Sequence, residues 1–227
     1  MEALFITGTD TDIGKTLVTG LLGWWLDQRG LRVITQKWVE TGNGGDIDLH
    51  LQIMKRPKEE FERYIDLMLP YSFSLPSSPH LAAEVEGRTI DPERIKEKFE
   101  SLSQEFEYLL VEGAGGLLVP INRESFLIDV AQEVGLSILV VAGNRLGAIN
   151  HTLLTLEVLK QRGMKVVGVV FNTYSKDQNR LITKDNPRVI ERFYQDTVLG
   201  VLEFGEIEDL YEEFKPIGEK IFKRWIG

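Results

Sequence analysis

The chain contains no cysteine and fewer basic than acidic residues, and each shortage excludes a class of chemistry. Without cysteine there are no disulfides, cysteine-ligated zinc sites, iron–sulfur clusters or thiol nucleophiles. The 26 Lys and Arg residues against 35 Asp and Glu residues give a formal charge of −9, which predicts no association with nucleic acid or an anionic membrane. No stretch approaches the ~20 apolar residues of a membrane span, and residues 1–20 do not resemble a signal peptide, so we expect a cytoplasmic protein.

Short apolar segments of strand length alternate with longer amphipathic segments along all 227 residues. This alternation predicts the α/β class, with a central, mostly parallel sheet. Several segments are apolar at consecutive positions, which predicts helices on both faces of the sheet. No repeat or linker divides the chain, so we expect a single domain over residues 1–227. The predicted strands are residues 3–7, 32–37, 108–112, 137–143, 166–172 and 198–202.

Helices are predicted over residues 14–29, 91–106, 147–162 and 206–227, where apolar positions recur at helical spacing. Asp91 is the expected N-cap of the second of these helices, because Pro92 follows it at the first helical position. Residues 42–45 are rich in glycine and residues 70–80 in proline and serine, so both segments are predicted to be loops.

The sequence GTDTDIGKT, residues 8–16, lies between the first predicted strand and the first predicted helix. In that position its backbone amides and the helix N-terminus can surround phosphates, Lys15 can reach the β- and γ-phosphates, and the Thr16 hydroxyl can ligate Mg²⁺. The pattern GxxxxGK[ST] would place its first glycine at Thr9, whereas this chain has Gly8 one position earlier. A strand-to-helix turn that carries Gly-Lys-Thr by chance is the alternative. We favour nucleotide binding and a single-domain fold similar to the P-loop NTPases.

Two charged residues end predicted strands at the same edge of the sheet. Glu112 precedes a run of small residues and is suited to meet Mg²⁺ directly or through water. Lys37 ends the second strand and would face the phosphate loop. The alternatives are a solvated strand-end acid and a surface lysine.

Asp46 and Asp48 follow the glycine-rich turn, and either can supply a second carboxylate to a metal. Asp46 is also a candidate helix N-cap, so Asp48 is the preferred ligand. Asn172, at the end of a strand, can read the amide edge of a base or serve as a turn residue. The histidines show no spacing typical of a metal site: His50, His80 and His151.

Five segments, in order and spread over most of the chain, resemble the dethiobiotin synthetases. These segments are GTDTDIGKT, Lys37 with Thr41, PSSPH at residues 76–80, EGAGG at residues 112–116, and LGAINH at residues 146–151. The resemblance implies that ATP, CO₂ and 7,8-diaminononanoate (7,8-diaminopelargonate) are converted to dethiobiotin, ADP and phosphate, a step of biotin biosynthesis. This cyclo-ligase reaction passes through a carbamate and a carbamic-phosphoric anhydride, and it needs cations more than a protein nucleophile.

The resemblance also implies roles for individual residues. Lys37 and Lys15 are the expected catalytic cations. The implied substrate contacts are Thr11, Lys37, Thr41, Gly147 and Asn150, and the implied Mg²⁺ ligands are Thr16, Asp48 and Glu112. The residues expected to bind ATP are Thr11, Asp12, Ile13, Gly14, Lys15, Thr16, Asp48, Glu112, Gly113, Ala114, Gly115, Asn172, Leu202 and Glu203.

The family resemblance implies a homodimer in which the tail of the substrate lies near residues 147–150 of the second subunit. The N-terminus of the helix predicted there could receive the substrate carboxylate. The expected partners are therefore small molecules and a second copy of the chain, with no nucleic acid and no membrane.

Other functions are compatible with a phosphate loop. Partitioning and site-selection ATPases resemble the pattern KGGxGK[ST], whose extra lysine would stand at position 10, where this chain has Asp10. An amidoligase or a small-molecule kinase is the alternative among enzymes. A non-enzymatic nucleotide-binding module would not need Lys37.

Overall fold

A parallel six-stranded sheet forms the centre of the computed structural model, which describes residues 1–42 and 44–227. Its strands in chain order are β1 (Glu2–Gly8), β2 (Val33–Lys37), β5 (Tyr108–Gly116), β6 (Ser137–Gly143), β7 (Val166–Asn172) and β8 (Val198–Leu202). They lie in the order β2-β5-β1-β6-β7-β8. A second parallel pair joins β3 (Val39–Thr41) to β4 (Tyr71–Phe73). All six strands predicted from the sequence are thus confirmed, as is the α/β fold class.

The α-helices of the described residues connect these strands. They are α1 (Lys15–Asp27), α2 (Asp46–Ile53), α3 (Ile65–Met68), α4 (Pro79–Val85), α5 (Pro92–Ser103), α6 (Leu127–Glu133), α7 (Ala148–Gln161), α8 (Arg180–Phe193) and α9 (Ile207–Ile226), and a 3-10 helix spans Lys58–Tyr64. Helices α1, α5, α7 and α9 confirm the four predicted from periodicity. The Asp91 carboxylate accepts the Glu93 N–H, which confirms the predicted cap.

Buried side chains of the sheet divide between two cores, one on each face. In β1, Leu4 and Ile6 pack with residues of α1 and α9, whereas Phe5 packs with residues of α5, α6 and α7. Successive side chains of a strand point to opposite faces, and both faces here are covered, so each strand is apolar at consecutive positions. The prediction that helices cover both faces is confirmed.

The prediction of a loop over residues 70–80 is wrong at both ends. Tyr71 and Phe73 are buried in β4, which pairs with β3, and α4 begins at Pro79. Proline and serine dominate the composition of this segment, so the sequence gives no sign of a three-residue strand. The register of that strand is set by its pairing with β3. The predicted turn at residues 42–45 includes position 43, which lies outside the described residues.

The parallel strands bring their carboxyl ends to one edge of the sheet. β1 ends at Gly8, β2 ends at Lys37, and β5 pairs Glu112 with both Ile6 and Lys37 before it ends at Gly116. The segments that resemble a phosphate loop and a metal-binding strand end therefore meet there. Within the described residues, no helix combines the length and the apolar character that crossing a membrane requires.

Candidate active site

The phosphate loop joins β1 to α1 through backbone conformations that favour glycine. Gly14 precedes α1 with φ 93°, and a Cβ at this position would lie 2.1 Å from the Asn172 side-chain nitrogen. The Lys15 side chain is buried and its ammonium donates to the Asp10 carbonyl at 2.9 Å. The Lys15 side chain thus folds back over the loop, next to the backbone that would also contact a bound phosphate.

A cavity of about 200 Å³ opens between the loop, the end of β2, β3, the start of α2 and the end of β5. The sequence-predicted residues that line it are Thr11, Asp12, Ile13, Gly14, Lys15, Thr16, Lys37, Thr41, Glu112, Ala114 and Gly115. The same cavity is lined by Val39, Glu40, Gly44 and Asp46. Residues far apart in the sequence therefore form one concave site at the carboxyl edge of the sheet.

Lys37 is buried in this cavity and held by three oxygens. Its Nζ lies 2.6 Å from Glu112 Oε1, 2.8 Å from Asp46 Oδ2 and 3.0 Å from the Gly113 carbonyl. Burial alone would lower the pKa of Lys37, but the negative charges of Glu112 and Asp46 outweigh it and raise that pKa. The ammonium is therefore charged throughout the physiological pH range.

Glu112 is a contact shared by several side chains. In addition to Lys37, it meets the Thr16 hydroxyl at 3.1 Å through Oε1 and His50 Nε2 at 2.7 Å through Oε2. Burial would raise the pKa of Glu112, but the Lys37 charge and the His50 hydrogen bond hold that pKa at about 2. Glu112 is thus a carboxylate, and the His50 nitrogen that faces it carries the hydrogen.

The second cation of the site, Lys15, has the opposite shift. Burial and the nearby Lys37 charge lower the pKa of Lys15 to about 8, even though Glu112 and Asp46 act against them. A bound anion near Lys15 would favour the charged form of the lysine, so a phosphate in the loop and the Lys15 ammonium would stabilise each other.

Asp46 lines the cavity and Asp48 does not, contrary to the preference for Asp48. Asp46 is the first residue of α2, and its Oδ1 lies 3.1 Å from the Thr16 hydroxyl. Asp48 is exposed and pairs with Lys58 at 2.6 Å. Positions two apart on a helix point to opposite sides, whereas Asp46 and His50, four apart, share the face toward Glu112.

The oxygens around Thr16 fit a Mg²⁺ ion. The Thr16 hydroxyl lies 3.1 Å from one carboxylate oxygen of Asp46 and 3.1 Å from one of Glu112, and such hard oxygen ligands are those that Mg²⁺ prefers. No group of three or more Asp, Glu or His side chains suited to a metal occurs in the described part of the chain. Mg²⁺ here would complete its coordination with phosphate oxygens and water.

The other predicted residues do not line the cavity. Gly113 contributes its carbonyl to Lys37, and the buried Asn172 donates its side-chain N–H to the Ile13 carbonyl at 2.8 Å, which braces the phosphate loop. At the end of β8, Leu202 is buried and Glu203 is exposed. Gly147 and Asn150 are exposed at the start of α7.

Two residues of the site were missed by sequence reasoning. His50 was set aside for lack of metal spacing, although its position four residues after Asp46 on one helix was the available signal. Glu40 carries no motif, and only the fold brings it to the cavity, where its Oε1 accepts the Asp46 N–H at 2.8 Å.

The parallel sheet, the phosphate loop and the cations at its edge define a P-loop nucleotide-binding protein. Solved structures with the same fold include pNOB8 ParA bound to nonspecific DNA, with a TM-score of 0.61 and 13% identity over 99% of this chain and 98% of that one. The cell-division ATPase MinD of Pyrococcus furiosus has a TM-score of 0.57 and 20% identity over 98% of this chain and 99% of that one. These identities support a shared fold alone.

Sequence comparison identifies the family. An AAA domain family model, AAA_26, matches residues 2–209. The ATP-dependent dethiobiotin synthetase BioD of Thermodesulfovibrio yellowstonii is 39% identical over 97% of this chain and 95% of its own length. The BioD of Lysinibacillus sphaericus is 37% identical over 100% of this chain and 97% of its own length. The chain belongs to the dethiobiotin synthetase family, as the resemblance of its motifs predicted.

Proposed function

We propose that this protein is an ATP-dependent ligase that converts 7,8-diaminononanoate and CO₂ to dethiobiotin, with release of ADP and phosphate, in biotin biosynthesis. One observation carries the proposal beyond family membership. Two buried lysines, Lys15 on the phosphate loop and Lys37 at the end of β2, line one cavity, and the described lining includes no cysteine, serine or histidine. A reaction between bound small molecules, catalysed by charge and position, fits such a site.

On the nucleotide side, the phosphate loop binds the triphosphate. The backbone of residues 11–16 and the Lys15 ammonium surround the β- and γ-phosphates, while the small residues Gly113, Ala114 and Gly115 leave room for them. We place the adenine near the ends of β7 and β8, beside Asn172, Leu202 and Glu203. The position of these strand ends along the same edge of the sheet supports this assignment.

Mg²⁺ would be held by the Thr16 hydroxyl and the carboxylates of Asp46 and Glu112. When bound, it supplies positive charge that neutralises the phosphate oxygens during phosphoryl transfer. The protein positions these ligands. His50 holds Oε2 of Glu112, and Oε1 is thereby directed toward Thr16.

On the substrate side, Lys37 stabilises the carbamate that one amine forms with CO₂, and Thr11 and Thr41 contact the diamine. The carbamate oxygen attacks the γ-phosphate, ADP leaves, and Lys15 and Lys37 neutralise the charge that passes between them. The second amine, tethered to the same carbon chain, then attacks the carbonyl and expels phosphate as the ring closes. The cyclic urea of dethiobiotin results.

We further propose that the protein works as a cytoplasmic homodimer, in which Gly147 and Asn150 of one subunit serve the cavity of the other. Their exposure at the start of α7, away from the cavity of their own chain, supports this arrangement. The N-terminus of α7 carries partial positive charge, which suits the carboxylate of the substrate tail.

The experiment that tests the function is ADP release by the purified protein with MgATP, bicarbonate and 7,8-diaminononanoate, omitting one component at a time, with the product detected by mass. We expect ADP release to require both diamine and bicarbonate and dethiobiotin to appear in equal amount. Slow ATP hydrolysis that is indifferent to the diamine would contradict the synthetase and favour a nucleotide switch.

A further inference from the structure

Glu40 is a buried carboxylate in the candidate active site. The assignments above give it no role in binding the metal or the nucleotide. It lies in β3, only 6% exposed, and lines the same cavity as Lys37 and Thr41. Its Oε1 accepts the Asp46 N–H at 2.8 Å. Among the residues that the structure describes, no Lys, Arg or His nitrogen lies within the 4.0 Å of an ion pair with it.

Such a charge is costly in the absence of a positive partner, because burial removes the water that would solvate it. Of the other acidic residues that line the cavity, Asp46 and Glu112 already share the Lys37 ammonium, and Asp12 lies on the phosphate loop. One backbone N–H at the start of α2 compensates Glu40 only in part. Glu40 is therefore a carboxylate of the cavity without a cationic partner among the described residues.

Metal binding does not account for this carboxylate. The Thr16 hydroxyl, which marks the phosphate side of the site, contacts Asp46 and Glu112 but makes no hydrogen bond with Glu40. Glu40 lies instead beside Thr41 on β3, the side of the cavity assigned to the diamine. A protonated amine of the diamine would bring a positive charge to this side of the cavity, next to Glu40.

We propose that Glu40 is a specificity-determining residue that binds one protonated amino group of the diamine substrate. This role rests on the proposed function. The ion pair selects substrates that carry a second amine and keeps that amine in the cavity while the other forms its carbamate. Before ring closure this ammonium loses its extra proton to water, so that the neutral amine attacks the carbonyl, and the departing phosphate takes up the proton lost as the ring forms. A hydrogen bond between ionised groups is among the stronger polar contacts, and burial strengthens it further.

The test compares Glu40→Gln with the unchanged protein by steady-state kinetics. The Gln amide oxygen can still accept the Asp46 N–H, so this variant preserves the local structure and removes only the charge. We expect the KM for the diamine to rise about tenfold or more, as the loss of a charge-assisted hydrogen bond predicts. The KM for MgATP and the Mg²⁺ requirement should stay within about twofold, and Glu219→Gln on the exposed face of α9 should leave all constants unchanged.

A second measurement separates charge from shape. In the unchanged protein, an analogue with one amine replaced by a hydroxyl should inhibit far more weakly than the diamine binds, and Glu40→Gln should abolish most of this difference. Glu40→Asp, which keeps the charge on a shorter chain, should lose less diamine affinity than Glu40→Gln. Thermal unfolding of each variant verifies that it is folded.

The outcomes are distinguishable. If the unchanged protein requires the diamine but Glu40→Gln keeps its diamine KM, Glu40 only supports α2 and the inference is wrong while the function stands. If Glu40→Gln instead raises the Mg²⁺ requirement, the carboxylate serves the metal and the inference is also wrong. If the unchanged protein ignores the diamine, the proposed function and the role of Glu40 fall together.

Discussion

Lys37 lies between Glu112 and Asp46, the two carboxylates that are also the best candidates for Mg²⁺ ligands. Glu112 Oε1 lies next to both Lys37 and Thr16, whereas Asp46 faces Lys37 with Oδ2 and Thr16 with Oδ1. The same two carboxylates would therefore have to serve both the lysine and the metal. Arrival of a metal ion would loosen their hold on the ammonium and leave it available to the substrate. Lys37 would then combine a structural task with the catalytic one that we propose for it.

Replacement of Lys37 should affect both tasks. We expect Lys37→Met to lower kcat by at least about 10²-fold, because the site loses a cation that stabilises the reacting oxygens. We also expect the free energy of unfolding to fall by about 3 kcal/mol, because Glu112 remains buried without its ammonium partner. Kinetics and urea titration measure the two effects, with the exposed Lys223→Met as control. Normal dethiobiotin formation by Lys37→Met would refute the catalytic role.

The two aspartates at the start of α2 form a matched pair for testing the metal assignment. Asp46→Asn should raise the Mg²⁺ concentration needed for half-maximal ATP turnover, because the amide is a weaker metal ligand than the carboxylate. Asp48→Asn should leave it unchanged, since Asp48 only pairs with Lys58 at the surface. Binding of Mn²⁺, followed by electron spin resonance, gives a second readout. A larger effect at Asp48 would overturn the assignment.

The low pKa of Lys15, about 8, predicts how nucleotide affinity depends on pH. The lysine is a cation below this pKa and is neutral above it, so affinity for a non-hydrolysable ATP analogue should decrease as pH rises from about 8 toward 10. Calorimetric titration at several pH values measures the decrease. Lys15→Arg stays charged over the whole range and should show a flatter profile. Equal slopes for the two proteins would count against the shift.

At the scale of the element, strands and long helices were predictable and the short elements were not. The buried strands β5 and β6 read as continuous apolar runs because helices cover both of their faces. β3 and β4 have three residues each and exist only because they pair with one another across about 30 positions. Local sequence carries no signal for such a pairing.

The residues of the candidate site also differ in whether the sequence predicts them. The phosphate loop, Lys37 and Glu112 were predictable because each is tied to the end of a recognisable strand. The choice between Asp46 and Asp48 required the rotation of α2 about its axis, which the sequence leaves open when the helix has only eight residues. Glu40 was out of reach, because its position depends on β3.

The contact between β7 and the phosphate loop provides a test at the level of elements. Asn172→Ala removes the hydrogen bond to the Ile13 carbonyl, so we expect weaker binding of both ATP and GTP. ATP should lose more than GTP, since we assign Asn172 to the adenine as well. Fluorescence titration with both nucleotides measures this. Equal losses of ATP and GTP affinity would contradict a role of Asn172 in base recognition. Unchanged affinities would also contradict its role in supporting the phosphate loop.

At the scale of the whole molecule, an apolar surface lies beside the start of α7. Leu118, Leu146 and Leu154 are 46%, 76% and 58% exposed, and Leu118 and Leu154 border a shallow cavity of about 230 Å³ with His151. Exposed apolar surface of this kind is typical of protein interfaces. Its proximity to Gly147 and Asn150 makes it the expected contact surface of the proposed homodimer.

Charge on this surface should separate the subunits. We expect Leu154→Glu to shift the protein from dimer to monomer in light scattering and to raise the KM for the diamine, because Gly147 and Asn150 then no longer reach the neighbouring cavity. Phe193→Glu, at the far end of α8 and 67% exposed in a different region, is the control and should leave the dimer intact. A monomeric Leu154→Glu with unchanged kinetics would show that each chain holds a complete site.

Glu112 links four elements, because it belongs to β5 and contacts Lys37 of β2, Thr16 of α1 and His50 of α2. Effects of substitutions at positions that share one partner are not additive. The cost of exchanging Lys37 and His50 together should therefore differ from the sum of the single exchanges. Substitutions around this carboxylate are therefore coupled, and epistasis among them constrains the sequences open to this protein.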